Sequence, residues 1–232
     1  MKDGDIDKIL KRAADAQYIV DDTLRSRIAE SLRPSLCPVH PLPPRWLLTL
    51  SLLSISLLVA LAGAARAGFG GFAKMDLLQV LLIFPALGIL AWLLSEELVN
   101  QSIPGSRHRF SPGRLLAATC VVLLVVFALA FQDYQTQHFL AAGILCLVTG
   151  VAHAIPAGIL CWLILRRGFA VNSVVAGLVG GAVAGIAGIT LLEFHCVNFQ
   201  AFHVLVWHTA VVPVSALLGA AIVYLTRSFR PD

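Results

Sequence analysis

Charged residues are scarce in this chain. Only 13% of its 232 residues are charged, about half the fraction in an average soluble protein. They are also unevenly spread, since residues 1–45 hold seven of the thirteen acidic and eight of the seventeen basic residues. The rest of the chain is therefore too apolar for a water-soluble globule. The same composition excludes a disordered chain, a collagen-like fibre and a disulfide-stapled secreted module.

Motifs for catalysis are also missing. The sequence contains no HExxH, no GxSxG and no glycine-rich phosphate loop ending in lysine. We therefore expect that the protein is not an enzyme. The net charge of +4 is spread over short loops, which does not indicate direct binding of nucleic acid.

Long apolar runs dominate what is present. A helix needs about 20 apolar residues to cross the hydrocarbon core of a bilayer. Six continuous runs meet this length, and none has the alternation of a barrel strand. The predicted fold is an all-α polytopic membrane protein, a bundle of six transmembrane helices behind a short N-terminal helical segment. The predicted spans are 47–65, 77–94, 115–131, 139–165, 169–192 and 204–226.

The basic residues predict the orientation of these spans. Fifteen of the seventeen Lys and Arg fall on one side, and only Arg66 and Lys74 fall on the other. Because cytoplasmic loops carry the excess of Lys and Arg, we expect both termini in the cytoplasm. The predicted location is the bacterial inner membrane, with residues 1–45 as a cytoplasmic segment and 46–232 as the membrane domain.

The cytoplasmic segment combines a helical pattern with a proline-rich junction. Its apolar residues recur at helical spacing, and Asp21 or Asp22 is a candidate N-cap. Prolines between residues 34 and 44 cannot continue a helix and form a stiff, extended spacer. The helices either lie at an interface or bind a partner on which they fold. The apolar residues that would contact such a partner are Ile6, Leu10, Leu24, Ile28 and Leu32.

Small residues recur along spans 5 and 6. Gly177, Gly181 and Gly185 are four residues apart, and Ser215 and Gly219 repeat this spacing in span 6. Such ridges let transmembrane helices approach closely. The pattern predicts either tight packing of spans 5 and 6 or a homodimer that forms through span 5.

Polar residues cluster near the outer ends of spans 4 to 6. Imidazole and thiolate bind zinc or copper, and the candidate metal ligands are Glu193, His195, Cys196, His203 and His208. His203 and His208 are five residues apart and do not share a face of an α-helix. The alternative is a set of interfacial polar side chains at headgroup depth. His153 lies deeper, and we expect it to be a hydrogen-bonded residue of helix packing.

Two of the five cysteines face the predicted outer side. Cys146 and Cys196 lie toward this oxidising face, whereas Cys120 and Cys161 lie within apolar spans and are expected to be inert. A disulfide between the first pair requires Cα atoms within about 7 Å. It would require the turn between spans 5 and 6 to dip toward span 4.

These features together resemble the NrsF family, the negative regulators of sigma F. The resemblance rests on the N-terminal segment with its proline-rich junction, on Gly143-Ile144-Leu145-Cys146, and on Glu193-Phe194-His195-Cys196 followed by Trp207-His208. It implies an anti-sigma factor that holds an extracytoplasmic-function sigma factor at the inner membrane through its cytoplasmic segment. It further implies release on a periplasmic metal or oxidative stress signal, with Cys146 and Cys196 as the sensing pair.

Two other functions fit the same residues. A small metal-handling or transport protein would use Glu193, His153 and the other histidines as a path. A haem-binding protein would use paired histidines, and a visible absorption band would distinguish it. A possible transition-metal ion, zinc or copper, is the one cofactor that the sequence indicates.

Overall fold

The computed structural model describes residues 11, 22–32, 42–103, 105–106, 110–136, 139–166, 170 and 172–228. The chain divides into two units, Met1–Pro41 and Leu42–Asp232. In the first unit a helix runs over Asp22–Leu32, as the apolar spacing predicts. Ile28 on this helix is 48% exposed. Ile6 and Leu10, and the side chains of Leu24 and Leu32, lie outside the described part of the chain.

The second unit contains six long helices, which we number α1 to α6. The first five are α1 (Arg45–Ala67), α2 (Leu77–Gln101), α3 (Pro112–Ala130), α4 (Phe139–Leu165) and α5 (Ser173–His195). Helix α6 runs through Ala201–His203, a π-helical turn at Val204–His208, and Thr209–Ser228. All six are long and apolar enough to cross a membrane. The prediction of an all-α bundle with six spans is confirmed.

Helix ends follow local capping signals. Asp76 and Gln79 form a capping box at the start of α2, in which the Gln79 N–H donates to Asp76 Oδ1 over 2.7 Å. The Val175 N–H donates to Asn172 Oδ1 over 3.2 Å, so α5 begins after residue 172 rather than at 169. Helix α2 extends seven residues beyond its predicted end at 94, because Glu96 and its neighbours favour helix although they are not apolar.

Helix α5 lies at the centre of the bundle and packs against α1, α2, α4 and α6. A Cβ atom at Gly177 would lie 2.7 Å from the Gly219 carbonyl oxygen, and one at Gly181 would collide with the Ser215 carbonyl. The glycine ridge therefore faces α6 of the same chain, the first of the two alternatives above. A homodimer would need another surface, and dimerisation stays a prediction.

Three connecting segments meet at one end of the bundle, where α5 ends and α6 begins. The Ala201 N–H donates to the Asp133 carbonyl oxygen over 2.6 Å, which ties the α5–α6 turn to the segment after α3. The α1–α2 loop packs on the same turn, because a Cβ at Gly71 would lie 2.6 Å from the Cys196 carbonyl oxygen. The ring of Phe194 completes this contact, with its centroid 5.7 Å from that of Phe72. These contacts hold the turn that carries most of the candidate site.

Candidate functional site

Cys146 and Cys196 lie in contact at this end of the bundle. Their Sγ atoms are 3.6 Å apart and both thiols are free. Cys146 belongs to α4, and Cys196 is the residue at which α5 ends. Gly143 lets α4 approach α6, because a Cβ atom there would collide with the Trp207 indole of α6. The α5–α6 turn thus dips toward α4, as a disulfide between this pair would require.

Two histidines of α6 lie beside the thiols. Nε2 of His203 is 3.6 Å from Sγ of Cys196, and the ring centroids of His203 and His208 are 5.4 Å apart. The expectation that these histidines face different directions is wrong. Five residues of an α-helix turn through about 500°, which separates the two side chains by about 140°. The π-helical turn at Val204–His208 instead closes i to i+5 hydrogen bonds, and this places both rings on one face.

Glu193 positions the second histidine. Nδ1 of His208 donates to Glu193 Oε1 over 2.6 Å, and both side chains are at most 2% exposed. A charged side chain at such depth is tolerated when it is paired. Because Nδ1 serves Glu193, Nε2 is the ring nitrogen of His208 that remains available. Among the described residues this Nε2 and Nδ1 of His203 are buried and have no hydrogen-bond partner.

Four candidate ligands converge in this region. One ligand atom from each of Cys146, Cys196, His203 and His208 lies within 4.8 Å of the other three. Cys196 and both histidines are buried, whereas Cys146 is half-buried and gives the cluster its contact with the surroundings. The ring of Phe127 packs edge-on against His208 at 6.4 Å, which adds an apolar wall.

The cysteine of the turn is held as a neutral thiol. Its hydrogen bond to Cys146 is the larger cause and burial the second, and both raise the pKa of the Cys196 thiol above its ordinary value. At neutral pH this thiol is therefore protonated.

The predicted site residues separate into three groups. His203, His208 and Cys196 lie together, and Cys146, which the sequence indicated only as a partner for Cys196, joins them. Glu193 contacts the group through His208. His195 lies outside it, because its ring turns toward the α1–α2 loop, with Nδ1 3.4 Å from the Gly68 carbonyl oxygen.

His153 has a structural role, and Cys120 and Cys161 lie outside the cluster. Nδ1 of His153 lies 2.9 Å from the Thr149 carbonyl oxygen of its own helix, and its ring packs on Gly63 of α1. This confirms the expectation of a residue of helix packing. Cys161 is 2% exposed within the core, and among the described cysteines Cys120 is likewise free.

The cluster can carry out two kinds of chemistry. Two thiols in contact can be oxidised to a disulfide when the sulfur atoms move closer. Two thiolates and two imidazoles can instead hold a metal ion in tetrahedral geometry. Both processes would change how α4, α5 and α6 are connected at this end of the bundle.

The fold and the site define a polytopic helical membrane protein with a buried thiol–imidazole cluster near the end of its central helix. The chain belongs to the family of negative regulators of sigma F, NrsF, because the family model matches residues 32–227. By its description, the family consists of negative regulators of a sigma factor. No curated protein and no solved structure matches the chain.

Proposed function

We propose that the protein is a membrane-bound anti-sigma factor that holds an extracytoplasmic-function sigma factor at the bacterial inner membrane. The observation that carries this proposal is membership of the sigma F regulator family over residues 32–227. The sigma factor is released when a periplasmic metal or oxidative signal reaches Cys146 and Cys196. Both termini lie in the cytoplasm, so the regulated factor and the signal are on opposite sides of the membrane.

The helix Asp22–Leu32 supports a role in partner binding. Its described side chains are all exposed, and Ile28 presents an apolar surface. An amphipathic helix that binds in a groove is a common mode of recognition. The residues that would contact the sigma factor are Ile6, Leu10, Leu24, Ile28 and Leu32.

The cysteine pair supports the sensing role. Hydrogen peroxide would take two electrons and two protons from the thiols, a single S–S bond would form, and two water molecules would leave. Because Cys146 lies on α4 and Cys196 ends α5, the bond would fix these elements together. Release requires that the two packings of the bundle differ in their affinity for the sigma factor.

Capture of a sigma factor by the full-length protein in detergent tests the proposal. We expect the wild-type protein to retain a purified extracytoplasmic-function sigma factor of the same organism. The double variant Leu24→Asp plus Ile28→Asp should lose this capture, because two charges would be placed on the apolar face. Ala29→Asp adds a charge to the same helix beside that face and is the matched control.

The signal is tested on the captured complex. Hydrogen peroxide should release the sigma factor from the wild-type protein, and the Cys146→Ser and Cys196→Ser variants should keep it bound. Cys120→Ser is the control, since this cysteine lies in α3 away from the pair. Absence of capture by the wild-type protein would reject the anti-sigma role and favour a metal-handling or transport function. Release from both serine variants would reject the sensing pair.

A further inference from the structure

The four side chains around the α5–α6 turn have the composition and spacing of a metal site. Their ligand atoms lie within 4.8 Å of one another. Zinc binds thiolate sulfur at about 2.3 Å and imidazole nitrogen at about 2.0–2.1 Å. A tetrahedron with these bonds has edges of about 3.8 Å between two sulfurs and about 3.5 Å between sulfur and nitrogen.

Two edges of this tetrahedron are already in place. The Sγ atoms of Cys146 and Cys196 are 3.6 Å apart, and Sγ of Cys196 is 3.6 Å from Nε2 of His203. The ligands need only small side-chain movements to meet at one ion.

The surroundings of His208 point to a ligand independently. A histidine that binds a metal usually donates its other N–H to a carboxylate, which fixes the tautomer and the orientation of the ring. Nδ1 of His208 donates to Glu193 in this way over 2.6 Å. The opposite nitrogen, Nε2, is buried and makes no hydrogen bond among the described residues that meets ordinary distance and angle limits.

The geometry points to a single zinc ion bound by Cys146, Cys196, His203 and His208, with Glu193 orienting His208. This inference rests on the proposed function for its role in sensing, and it names the ion that the sensing pair would hold. The site is assembled from three elements, α4, the α5–α6 turn and α6. Bound zinc would therefore connect these elements at one end of the bundle.

Within the set of four ligands the charges of the loaded site balance. Binding of Zn²⁺ releases the two thiol protons, so that two thiolates neutralise the two positive charges of the ion. The histidines bind as neutral imidazoles. The harder carboxylate of Glu193 stays outside the set of ligands. Two imidazoles with two thiolates favour zinc over Cu(I), which prefers softer and more uniform sulfur ligands.

Metal binding is tested first on the unmodified full-length protein in detergent. Titration with Zn²⁺ should give one ion per chain, and titration with Co²⁺ should give the strong visible bands of tetrahedral cobalt with sulfur ligands. Bound Zn²⁺ should also protect Cys146 and Cys196 from alkylation, with no change at Cys120. An octahedral cobalt spectrum, or thiols that stay reactive in saturating zinc, would overturn the inference without any variant.

Variants then identify the ligands. Cys146→Ser, Cys196→Ser, His203→Gln and His208→Gln should each lose stoichiometric tetrahedral binding. Glu193→Gln should keep the tetrahedral spectrum and weaken the affinity about 10- to 100-fold, as loss of an outer carboxylate does. His195→Gln is the matched control, because this histidine is the last residue of α5, next to Cys196, but its ring turns toward the α1–α2 loop. Equal loss of binding in His195→Gln and His208→Gln would contradict the assignment of the ligands.

The zinc site and the anti-sigma function can fail separately. A wild-type protein that captures the sigma factor but binds neither Zn²⁺ nor Co²⁺ would reject the zinc site and keep the function. A protein that binds one tetrahedral ion but captures no sigma factor would keep the zinc site and reject the anti-sigma function. Stoichiometric binding of Cu(I) without binding of Zn²⁺ would reject zinc as the ion.

Discussion

At the scale of single residues, Glu193 is the least expected feature of the bundle. It is an acid within a membrane-spanning helix and is only 1% exposed. Its hydrogen bond to His208 compensates for part of the desolvation of the carboxylate. The hydrogen bond between Glu193 and His208 has two effects. It stabilises a buried acid, and it holds the imidazole in one orientation beside the thiols.

Replacement of Glu193 separates the hydrogen bond from the charge. Glu193→Ala leaves Nδ1 of His208 buried without an acceptor, so we expect a loss of about 1–3 kcal/mol in the free energy of unfolding. Glu193→Gln keeps an oxygen acceptor and should lose less. Thermal unfolding in detergent with EDTA present measures both effects without a contribution from metal. Equal losses of unfolding free energy in the two variants would contradict a role of the carboxylate as acceptor. The control is Glu96→Ala, which removes a half-buried glutamate of α2.

At the scale of elements, the sequence predicts the helices well and the turn between α5 and α6 poorly. The six apolar runs are local signals, so the number of spans and their approximate bounds follow from them. The position of the His208 side chain does not follow from these local signals, because one π-helical turn changes the direction of every later side chain. The apolar sequence Val204–Trp207 has no local signal for that turn. It forms where α6 must pack on Gly143 through Trp207, and this is a tertiary contact.

The glycine ridge of α5 offers a test of helix packing on neighbouring residues. A Cβ at Gly181 would lie 2.8 Å from Ala216 Cα on α6, whereas one at Gly180 would meet the Leu98 side chain only at 3.7 Å. Gly181→Ala should therefore destabilise the bundle by about 1–3 kcal/mol. Gly180→Ala should be neutral or should stabilise it by up to about 1 kcal/mol, since alanine favours helix.

The melting temperatures of the two alanine variants in the same detergent measure this difference. The same substitution one residue apart controls for the added methyl group. Equal stability of the two variants would show that α6 can move away from α5 without cost, and the close packing described above would then be wrong.

At the scale of the whole molecule, the cluster and the N-terminal end of the bundle face opposite ways. An even number of spans places Leu42 and the end of α6 on one side, and the α1–α2, α3–α4 and α5–α6 connections on the other. Under the proposed function, a change at the thiols would therefore have to reach the sigma factor through the helices. Helix α5 is suited to this task, because it begins on the side of Leu42, ends at the cluster and packs against four other helices.

The orientation itself follows from charge and can be measured. In the sequence, the tails and connections predicted on the side of the termini carry fifteen of the seventeen basic residues, so we expect that side to be cytoplasmic. Added cysteines at exposed positions report the two sides, and Thr136→Cys in the α3–α4 connection and Ser111→Cys before α3 are suitable. A membrane-impermeant maleimide applied to cells with a permeable outer envelope should label Thr136→Cys at once. It should label Ser111→Cys only after the inner membrane is opened, with the unmodified protein as the baseline. The reverse pattern would place the thiol–imidazole cluster in the cytoplasm, where reduced thiols are maintained, and an external oxidant would then have to cross the membrane to reach it.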